Sequence, residues 1–148
     1  MFEMFDISFN GIEIIKDLWE KNRQYHENNS TFFGESYRTI CFEDKVKDLA
    51  KFHKDKIKIS VAKVNDEYIG YCISTIVDDN GEIASIHVDQ SSRRVGIGKK
   101  LVVEYLEWMK GKKCKAIGVT VSQENKSTIN FYKELGFYPN TLFMQQNI

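Results

Sequence analysis

A strand, a glycine-bearing turn and a helix follow one another between Gly81 and Leu101, and this stretch constrains the fold more than any other. It reads GEIASIHVDQSSRRVGIGKKL. The apolar run from Ile83 to Val88 is typical of a strand, and Gly96 and Gly98 open a long amphipathic helix. A helix start presents unpaired backbone N–H groups and roughly half a positive charge. Because glycines also let a bulky anion approach the backbone, the stretch predicts a site for a phosphate-bearing cofactor.

The composition is that of an ordinary globular protein and predicts one domain over residues 1–148. Hydrophobic residues make up 42% of the chain and charged residues 28%. The formal net charge is zero, which argues against a nucleic-acid-binding protein and against an anionic membrane as partner. The segment from Arg93 to Lys115 nevertheless carries eight basic and two acidic residues. This local excess fits a polyanionic small ligand, although the lysines beyond Lys100 could equally form a solvated helix face.

Cysteine usage and the N-terminus predict a cytoplasmic protein. Cys41, Cys72 and Cys114 are odd in number and contain no C-x-x-C pair, which predicts a reducing compartment, no disulfide framework and no metal site. The first ten residues, MFEMFDISFN, lack the basic region of a signal peptide. No apolar run approaches the ~20 residues that a membrane span needs.

The periodicity of the chain predicts an α/β fold of the α+β type, with a mixed sheet and helices on both faces. The expected order is β-α-α-β-β-β-α-β-α-β. Two turns, the second containing Asn80-Gly81 with positive φ, join the three central strands into a meander. The predicted strands lie at 2–9, 57–64, 68–77, 82–88, 116–121 and 142–146, the fifth of them buried, and the helices begin near Asn10, Phe42, Ile97 and Asn125.

The glycines of the turn do not belong to either common nucleotide motif. The dinucleotide fingerprint requires a third glycine where Leu101 stands, and the phosphate loop requires Ser or Thr where Lys100 stands. The segment Arg93 to Gly98 matches R-x-x-G-x-G instead. A second segment, Asn125 to Phe137, has the form N-x(5)-F-Y-x-x-L-G-F. With both segments in this order, about thirty residues apart, the chain resembles the GNAT superfamily of acyl-CoA-dependent N-acetyltransferases.

This resemblance implies that the cofactor is acetyl-CoA, acting as a cosubstrate. In the family the loop and helix N-terminus bind the pyrophosphate through backbone N–H groups, and the end of the preceding strand, which splays from its neighbour at a bulge, pairs with the pantetheine arm. In the family, the Asn that begins the second segment hydrogen-bonds that arm. The resemblance assigns these cofactor contacts to Ile86, His87, Val88, Arg93, Arg94, Val95, Gly96, Ile97, Gly98, Lys99, Asn125, Phe131 and Tyr132.

The resemblance also implies that Tyr132 protonates the departing CoA thiolate. An amine attacking a thioester needs an oxyanion donor and a proton for the sulfur. The backbone N–H of Val88 could polarise the carbonyl, and a phenol of pKa about 10 is a suitable proton donor. The alternative is a core residue, because Tyr132 shares a helical stripe with Ile129 and Leu135.

The sequence leaves open which residue acts as the general base. Members of the family often carry a carboxylate where this chain has Ala84 and Ser85. Glu82, earlier on the strand, and His87, with an ordinary pKa of about 6.5, are the two candidates. A water-relayed proton, or an amine that arrives neutral, would make either one unnecessary.

The acceptor pocket is expected between the first helices and the central strands. Its candidates by position are His26, Ser30, Phe33, Tyr37 and Arg38, each of which could equally be a capping, core or surface residue. We expect acetyl transfer to a primary amine of a small molecule by direct attack in a ternary complex, with a homodimer expected from the resemblance alone. The alternatives are acetylation of a protein N-terminus or lysine, and a catalytically silent acyl-CoA-binding module.

Overall fold

Five strands and five α-helices make up most of the chain in a computed structural model that describes residues 2–93 and 95–148. Short 3₁₀ turns occupy Phe9–Ile15, Lys54–Lys56 and Gln90–Ser92. In chain order the regular elements are β1 (Glu3–Ile7), α1 (Lys16–Asn29), α2 (Gly34–Arg38), α3 (Phe42–Leu49), β2 (Ile57–Val64), β3 (Glu67–Val77), β4 (Asn80–Val88), α4 (Ile97–Gly111), β5 (Ala116–Val119) and α5 (Lys126–Glu134).

The strands form one mixed sheet in the order β1-β2-β3-β4-β5. Strands β1 to β4 pair antiparallel, and β5 pairs parallel with β4. A parallel pair needs a crossover connection, which α4 provides. The predicted mixed sheet and three-stranded meander are therefore confirmed.

Both turns of the meander are two-residue loops that need a left-handed residue. Asn65 has φ 53° in the first turn and Asp78 has φ 54° in the second. Asn and Asp tolerate this conformation because their short side chains bond the local backbone. The second turn forms where it was predicted, but Asp78 has the positive φ that was expected at Asn80-Gly81, because β4 already begins at Asn80. Gly81 is required for packing instead, because a Cβ at this position would overlap the sulfur of Met109.

Helices cover both faces of the sheet, as predicted. On one face Ile15, Trp19 and Phe42 pack against β2 and β3. On the other face Leu101 and Tyr105 of α4 pack against the opposite side of the same strands. Burial of apolar surface stabilises a fold by roughly 25 cal/mol per Å² removed from water. Each face of the sheet buries large apolar side chains, so the sheet lies between two separate hydrophobic cores.

The predicted final strand is wrong, and β5 is shorter and less buried than predicted. Residues 138–148 form neither helix nor strand, and Leu142, Phe143 and Met144 are exposed. The side-chain amide of Asn147 donates to the carbonyl of Phe32 (3.0 Å), which links the tail to the loop after α1. A strand forms only where a neighbouring strand accepts its backbone hydrogen bonds, and β5, at the edge, offers only four residues.

Strand β4 separates from β5 halfway along its length. The register with β3 shifts at Ala84, which has no partner because Ile83 faces Ser74 while Ser85 faces Ile73. Pairing with β5 stops at Ile83, although β4 continues to Val88. The second half of β4 thus has an open edge, and a bulge of this kind bends and twists the strand that carries it.

Candidate active site

The open edge of β4 forms one wall of a cleft of about 610 Å³ that reaches both faces of the sheet. We name its two parts by the helices that border them. The α1 half is lined by Asn22, Tyr25, His26 and His87. The α4–α5 half is lined by Ile86, Val88, Gly96, Ile97, Gly98, Lys99, Asn125, Thr128, Phe131 and Tyr132.

The start of α4 supplies the anion-binding feature predicted from the glycines. Gly96 precedes the helix with φ 84°, a conformation that L side chains rarely adopt. The N–H of Lys100 is the first that reaches back four residues, donating to the Gly96 carbonyl at 3.0 Å. The N–H groups of Ile97, Gly98 and Lys99 precede that bond and lie at the cleft. This helix start can therefore bind a negatively charged group.

The end of β4 presents alternate backbone groups to the cleft. The N–H of Asp89 donates to the carbonyl of Ile69 (2.7 Å), so this pair is a hydrogen-bonded pair of the antiparallel ladder. Such pairs alternate with pairs whose N–H and C=O groups point away from the neighbouring strand. It follows from the register that Ile86 and Val88 face the open edge, whereas the backbone of His87 faces Tyr71 on β3. Of the three predicted backbone contacts, the geometry thus allows two.

The side chain of Arg93 reaches both halves of the cleft. Its Nε donates to the carbonyl of Val88 (3.0 Å), and its guanidinium lies over the ring of Tyr25, 5.5 Å from the centroid. Val95, also predicted to bind the cofactor, is 63% exposed and does not line the cleft. Arg94 lies outside the described residues.

Asn125 caps α5 while bordering the cleft. Its Oδ1 accepts from the N–H of Thr128 (3.3 Å) and from the hydroxyl of Ser127 (3.2 Å). Side-chain capping of this kind fixes the first turn of a helix. Since the helix uses the oxygen, the NH₂ group is the part of this amide suited to bind a ligand in the cleft.

Tyr132 belongs to the core and to the cleft at once. Its ring is 4% exposed and packs edge-on against Phe131 and Phe137. Burial raises the pKa of its hydroxyl well above the usual value, with the nearby Cys72 adding to the effect. Within the described residues the hydroxyl has no hydrogen bond, yet only Ser74 Oγ is fully buried without a partner. The Tyr132 oxygen is therefore open to the cleft and holds its proton at neutral pH.

His87 lines the α1 half with a neutral imidazole. Burial lowers its pKa to about 4, and the positive charge of Arg93 contributes to the shift. Its Nε2 lies 3.9 Å from a carboxylate oxygen of Asp89, which itself pairs with Lys21 at 3.2 Å. The side chain is thus placed at the cleft as a hydrogen-bonding group and as a weak base.

Glu82, the other predicted base, does not lie in this cleft. It is exposed and borders a separate groove of about 530 Å³ with Thr75 and Ala116. His87 lies five positions further along the strand, a distance of about 17 Å at the usual rise. Both residues were candidates because they flank Ala84 and Ser85 in sequence, but the strand carries them to opposite ends.

Two residues of the α1 half, Asn22 and Tyr25, were not predicted from the sequence. Their spacing relative to His26 places all three on neighbouring turns of one helix face, which is the signal that could have found them. Of the five acceptor-pocket candidates only His26 lines the cleft. The others have local contacts: the Ser30 hydroxyl accepts from the N–H of Phe33, Tyr37 stacks on His26, and Arg38 pairs with Glu27.

A backbone-to-carboxylate contact joins the two loops beside the cleft. The N–H of Thr31, just after α1, donates to both oxygens of Glu124, at 3.1 and 3.3 Å. Hydrogen bonding by the side chain of Thr31, followed by this backbone bond, lowers the pKa of the Glu124 carboxyl. Because Glu124 immediately precedes the capping Asn125, the contact ties the end of α1 to the start of α5.

Within residues 2–93 and 95–148, no three His, Cys, Asp or Glu side chains come together in a way that could hold a metal ion. Over the same residues, none of the helices has the length and apolar character of a membrane span.

Comparison with known proteins shows the family of the chain. The profile of the Acetyltransferase (GNAT) family matches residues 15–137. The chain belongs to this family of acetyltransferases. An uncharacterized N-acetyltransferase of Methanocaldococcus jannaschii is 34% identical over 93 residues, which are 57% of this chain but 40% of that relative.

Two solved structures show the same fold at low sequence identity. The PaiA N-acetyltransferase of Thermoplasma acidophilum, solved in complex with coenzyme A, has a TM-score of 0.75 at 20% identity over 93% of this chain and 90% of its own. An aminoglycoside N-acetyltransferase in complex with CoA has a TM-score of 0.69 at 16% identity over 100% and 96%. At these identities the likeness concerns the fold alone.

Proposed function

We propose that the protein transfers an acetyl group from acetyl-CoA to a primary amine of a small molecule by direct attack in a ternary complex. The observation that supports this best is the opening between β4 and β5, which places a helix N-terminus, free strand-edge groups and a tyrosine hydroxyl around one cleft. We treat residues 1–148 as one domain that contains the whole site.

The α4–α5 half fits an elongated ligand with an anion at one end. The N–H groups of Ile97, Gly98 and Lys99 suit a pyrophosphate. The edge groups of Ile86 and Val88 can pair with amides of a pantetheine arm, as a strand pairs with another strand. The cofactor supplies an acetyl group activated as a thioester, and the residues of the chain bind and orient it.

Two groups of the chain act on the reacting atoms in this proposal. The N–H of Val88 donates to the oxygen on which negative charge develops, which is the usual means of lowering the barrier to acyl transfer. Tyr132 gives its proton to the departing sulfur and recovers a proton that the amine loses, so the proton count balances. The raised pKa makes the Tyr132 hydroxyl a weaker acid, but it also keeps the hydroxyl protonated over the whole physiological range.

His87 is suited to accept a hydrogen bond from the amine in this reaction. With a pKa of about 4 it would not take a proton from an ammonium ion at equilibrium. We propose that the amine enters neutral or loses its proton to water, with His87 orienting its lone pair. Glu82 has no part in this proposal because it borders a different groove.

The test is a screen for CoA release from acetyl-CoA with single amines, polyamines, amino acids, aminoglycosides and peptides. We expect release with at least one small amine and acetylation of its nitrogen by mass spectrometry. If acetyl-CoA binds but none of these acceptors releases CoA, the proposed activity fails and a silent acyl-CoA-binding module becomes the better account. Release with peptides alone would favour protein acetylation instead.

A homodimer and a cytoplasmic location remain predictions from the sequence. The exposed apolar residues of the tail, Leu142, Phe143 and Met144, support the first of these, because a second copy could cover them. Light scattering at two protein concentrations would test it. A monomer at all concentrations would contradict it.

A further inference from the structure

The α1 half of the cleft carries no negative charge. Within the described residues no Asp or Glu lines the cleft, and its charged side chains are Arg93 and Lys99. The α1 half also contains two histidines and the hydroxyl of Tyr25. Burial lowers the pKa of both His26 and His87, so both are neutral at pH 7.

The carboxylates next to this half already have partners. Those within two residues of its lining side chains are Glu20, Glu27 and Asp89. Arg23 pairs with Glu20 at 3.1 Å and with Glu27 at 2.9 Å, and Glu27 also pairs with Arg38 at 2.8 Å. Asp89 pairs with Lys21.

Glu124, at the mouth of the cleft, is likewise engaged, because both of its oxygens accept from Thr31. An ammonium group entering the α1 half therefore meets no unpaired anion. Arg93 adds a repulsive charge at the junction of the two halves, where it contacts Val88 and Tyr25. A cation buried without a partner loses its hydration and gains nothing in return.

The same half offers flat and neutral contacts instead. Tyr25 packs edge-on against His26, and His26 stacks on Tyr37 with 20° between the ring planes. Asn22, whose side chain is within hydrogen-bonding reach of the Tyr71 hydroxyl, adds an amide that can both donate and accept. Aromatic rings beside a few neutral polar groups suit an apolar body that carries one amine.

We infer that the acceptor is a monoamine on an aromatic or otherwise uncharged body, and that polycations such as polyamines and aminoglycosides are excluded from the α1 half. This inference rests on the proposed function and narrows its substrate class. It separates this chain from the aminoglycoside N-acetyltransferase that shares its fold.

The experiment measures binding and turnover separately. Titration calorimetry of the full chain saturated with CoA would compare 2-phenylethylamine with spermidine and kanamycin, and the same amines would be tested as acceptors of acetyl-CoA. We expect 2-phenylethylamine to bind at least about tenfold more tightly than either polycation, and the ratio of kcat/KM to follow the same order.

Charge variants sharpen the result. Asn22→Asp places a carboxylate in the α1 half with little change of shape, and should shift the binding ratio towards spermidine by about tenfold. Asn28→Asp adds the same charge to the exposed side of the same helix and should leave the ratio unchanged. His26→Asp is the second variant to use if Asn22→Asp proves unfolded by circular dichroism.

The outcomes distinguish the two proposals. Preferential binding of 2-phenylethylamine without acetylation of any amine would sink the proposed activity and leave the inference standing. Equal or tighter binding of spermidine or kanamycin would overturn the inference. So would a failure of all three amines to bind, or an Asn22→Asp ratio equal to that of Asn28→Asp.

Discussion

The two halves of the cleft are built from different parts of the chain. The α4–α5 half presents mostly backbone: three N–H groups at the start of α4, and the edge groups of Ile86 and Val88. The α1 half presents side chains, from Asn22, Tyr25 and His26 on one helix and His87 on a strand. Tyr132 and Asn125 add side-chain chemistry to the α4–α5 half.

This difference separates what is shared by a family from what is particular to one chain. Backbone groups are the same whatever the side chains, so the α4–α5 half depends on glycines and on where the strands part. The α1 half changes with every substitution on α1. We therefore expect changes in the α4–α5 half to alter cofactor binding or chemistry, and changes in the α1 half to alter the acceptor.

The largest effect is expected at Tyr132. Tyr132→Phe removes the proposed proton donor without a cavity, and kcat should fall by about 100- to 1,000-fold while CoA affinity stays within about twofold. Steady-state kinetics and calorimetry measure the two. Tyr138→Phe, at an 83% exposed position, is the matched control. Wild-type turnover in Tyr132→Phe would show that this ring only packs.

The next effect concerns stability and pH at His87. The folded protein keeps this imidazole neutral down to about pH 4, whereas the unfolded chain protonates it below about 6.5. The stability that the neutral imidazole contributes is present above pH 6.5 and is lost as the pH falls through 4. His26 acts in the same direction. Between pH 7 and pH 4.5 the free energy of unfolding should fall by about 2–3 kcal/mol less in His87→Gln than in the wild type.

Urea unfolding at several pH values measures this difference. The groups that face His87 are Arg93, Asp89, Lys21 and His26, so their charges must stay unchanged in the variant. His53→Gln removes an imidazole that is 67% exposed and serves as control. Parallel curves for His87→Gln and wild type would mean that His87 titrates alike in both states.

A smaller effect is expected at the start of α4. A Cβ at Gly98 would meet Phe131 and Val88 at 3.8 and 3.9 Å, which is ordinary contact, so the fold tolerates it. The branches of Gly98→Val would occupy the cleft, and the Kd for CoA should rise at least about tenfold. Gly111→Val, at the other end of α4, is the control. Unchanged CoA affinity would show that the anion binds elsewhere.

The smallest effect is expected at the contact between the two loops. Glu124→Ala frees Thr31, and because the contact is exposed we expect only about a two- to fivefold rise in the KM of the acceptor. CoA affinity should not change. Glu134→Ala removes an exposed carboxylate from the end of α5 as control. If the affinity for CoA changed while the KM of the acceptor did not, the contact would act on the α4–α5 half, and this prediction would be contradicted.

Much of the fold and the α4–α5 half could be predicted from the sequence. Period-two runs predicted the meander, and an apolar stripe predicted α4, because these patterns arise from local geometry. Gly96, Gly98 and Asn125 act through the backbone of their own turns, so short motifs predicted their places in the cleft. The error here was also local, because Asp78 rather than Asn80-Gly81 has the positive φ of the second turn.

Only the tertiary structure decided the α1 half. Glu82 and His87 were equal candidates in sequence, but a strand rises about 3.3 Å per residue and carries them to different clefts. The prediction of a final strand was wrong because a strand forms only beside a partner edge, which no local pattern specifies. Pairing of Glu27 with Arg23 and Arg38, which leaves the cleft without a free anion, joins residues on two helices. The sequence by itself determined the glycines and the helix start that can bind an anion, because these act through their own turns. The packing of α1 against the opened sheet determined which side chains line the α1 half.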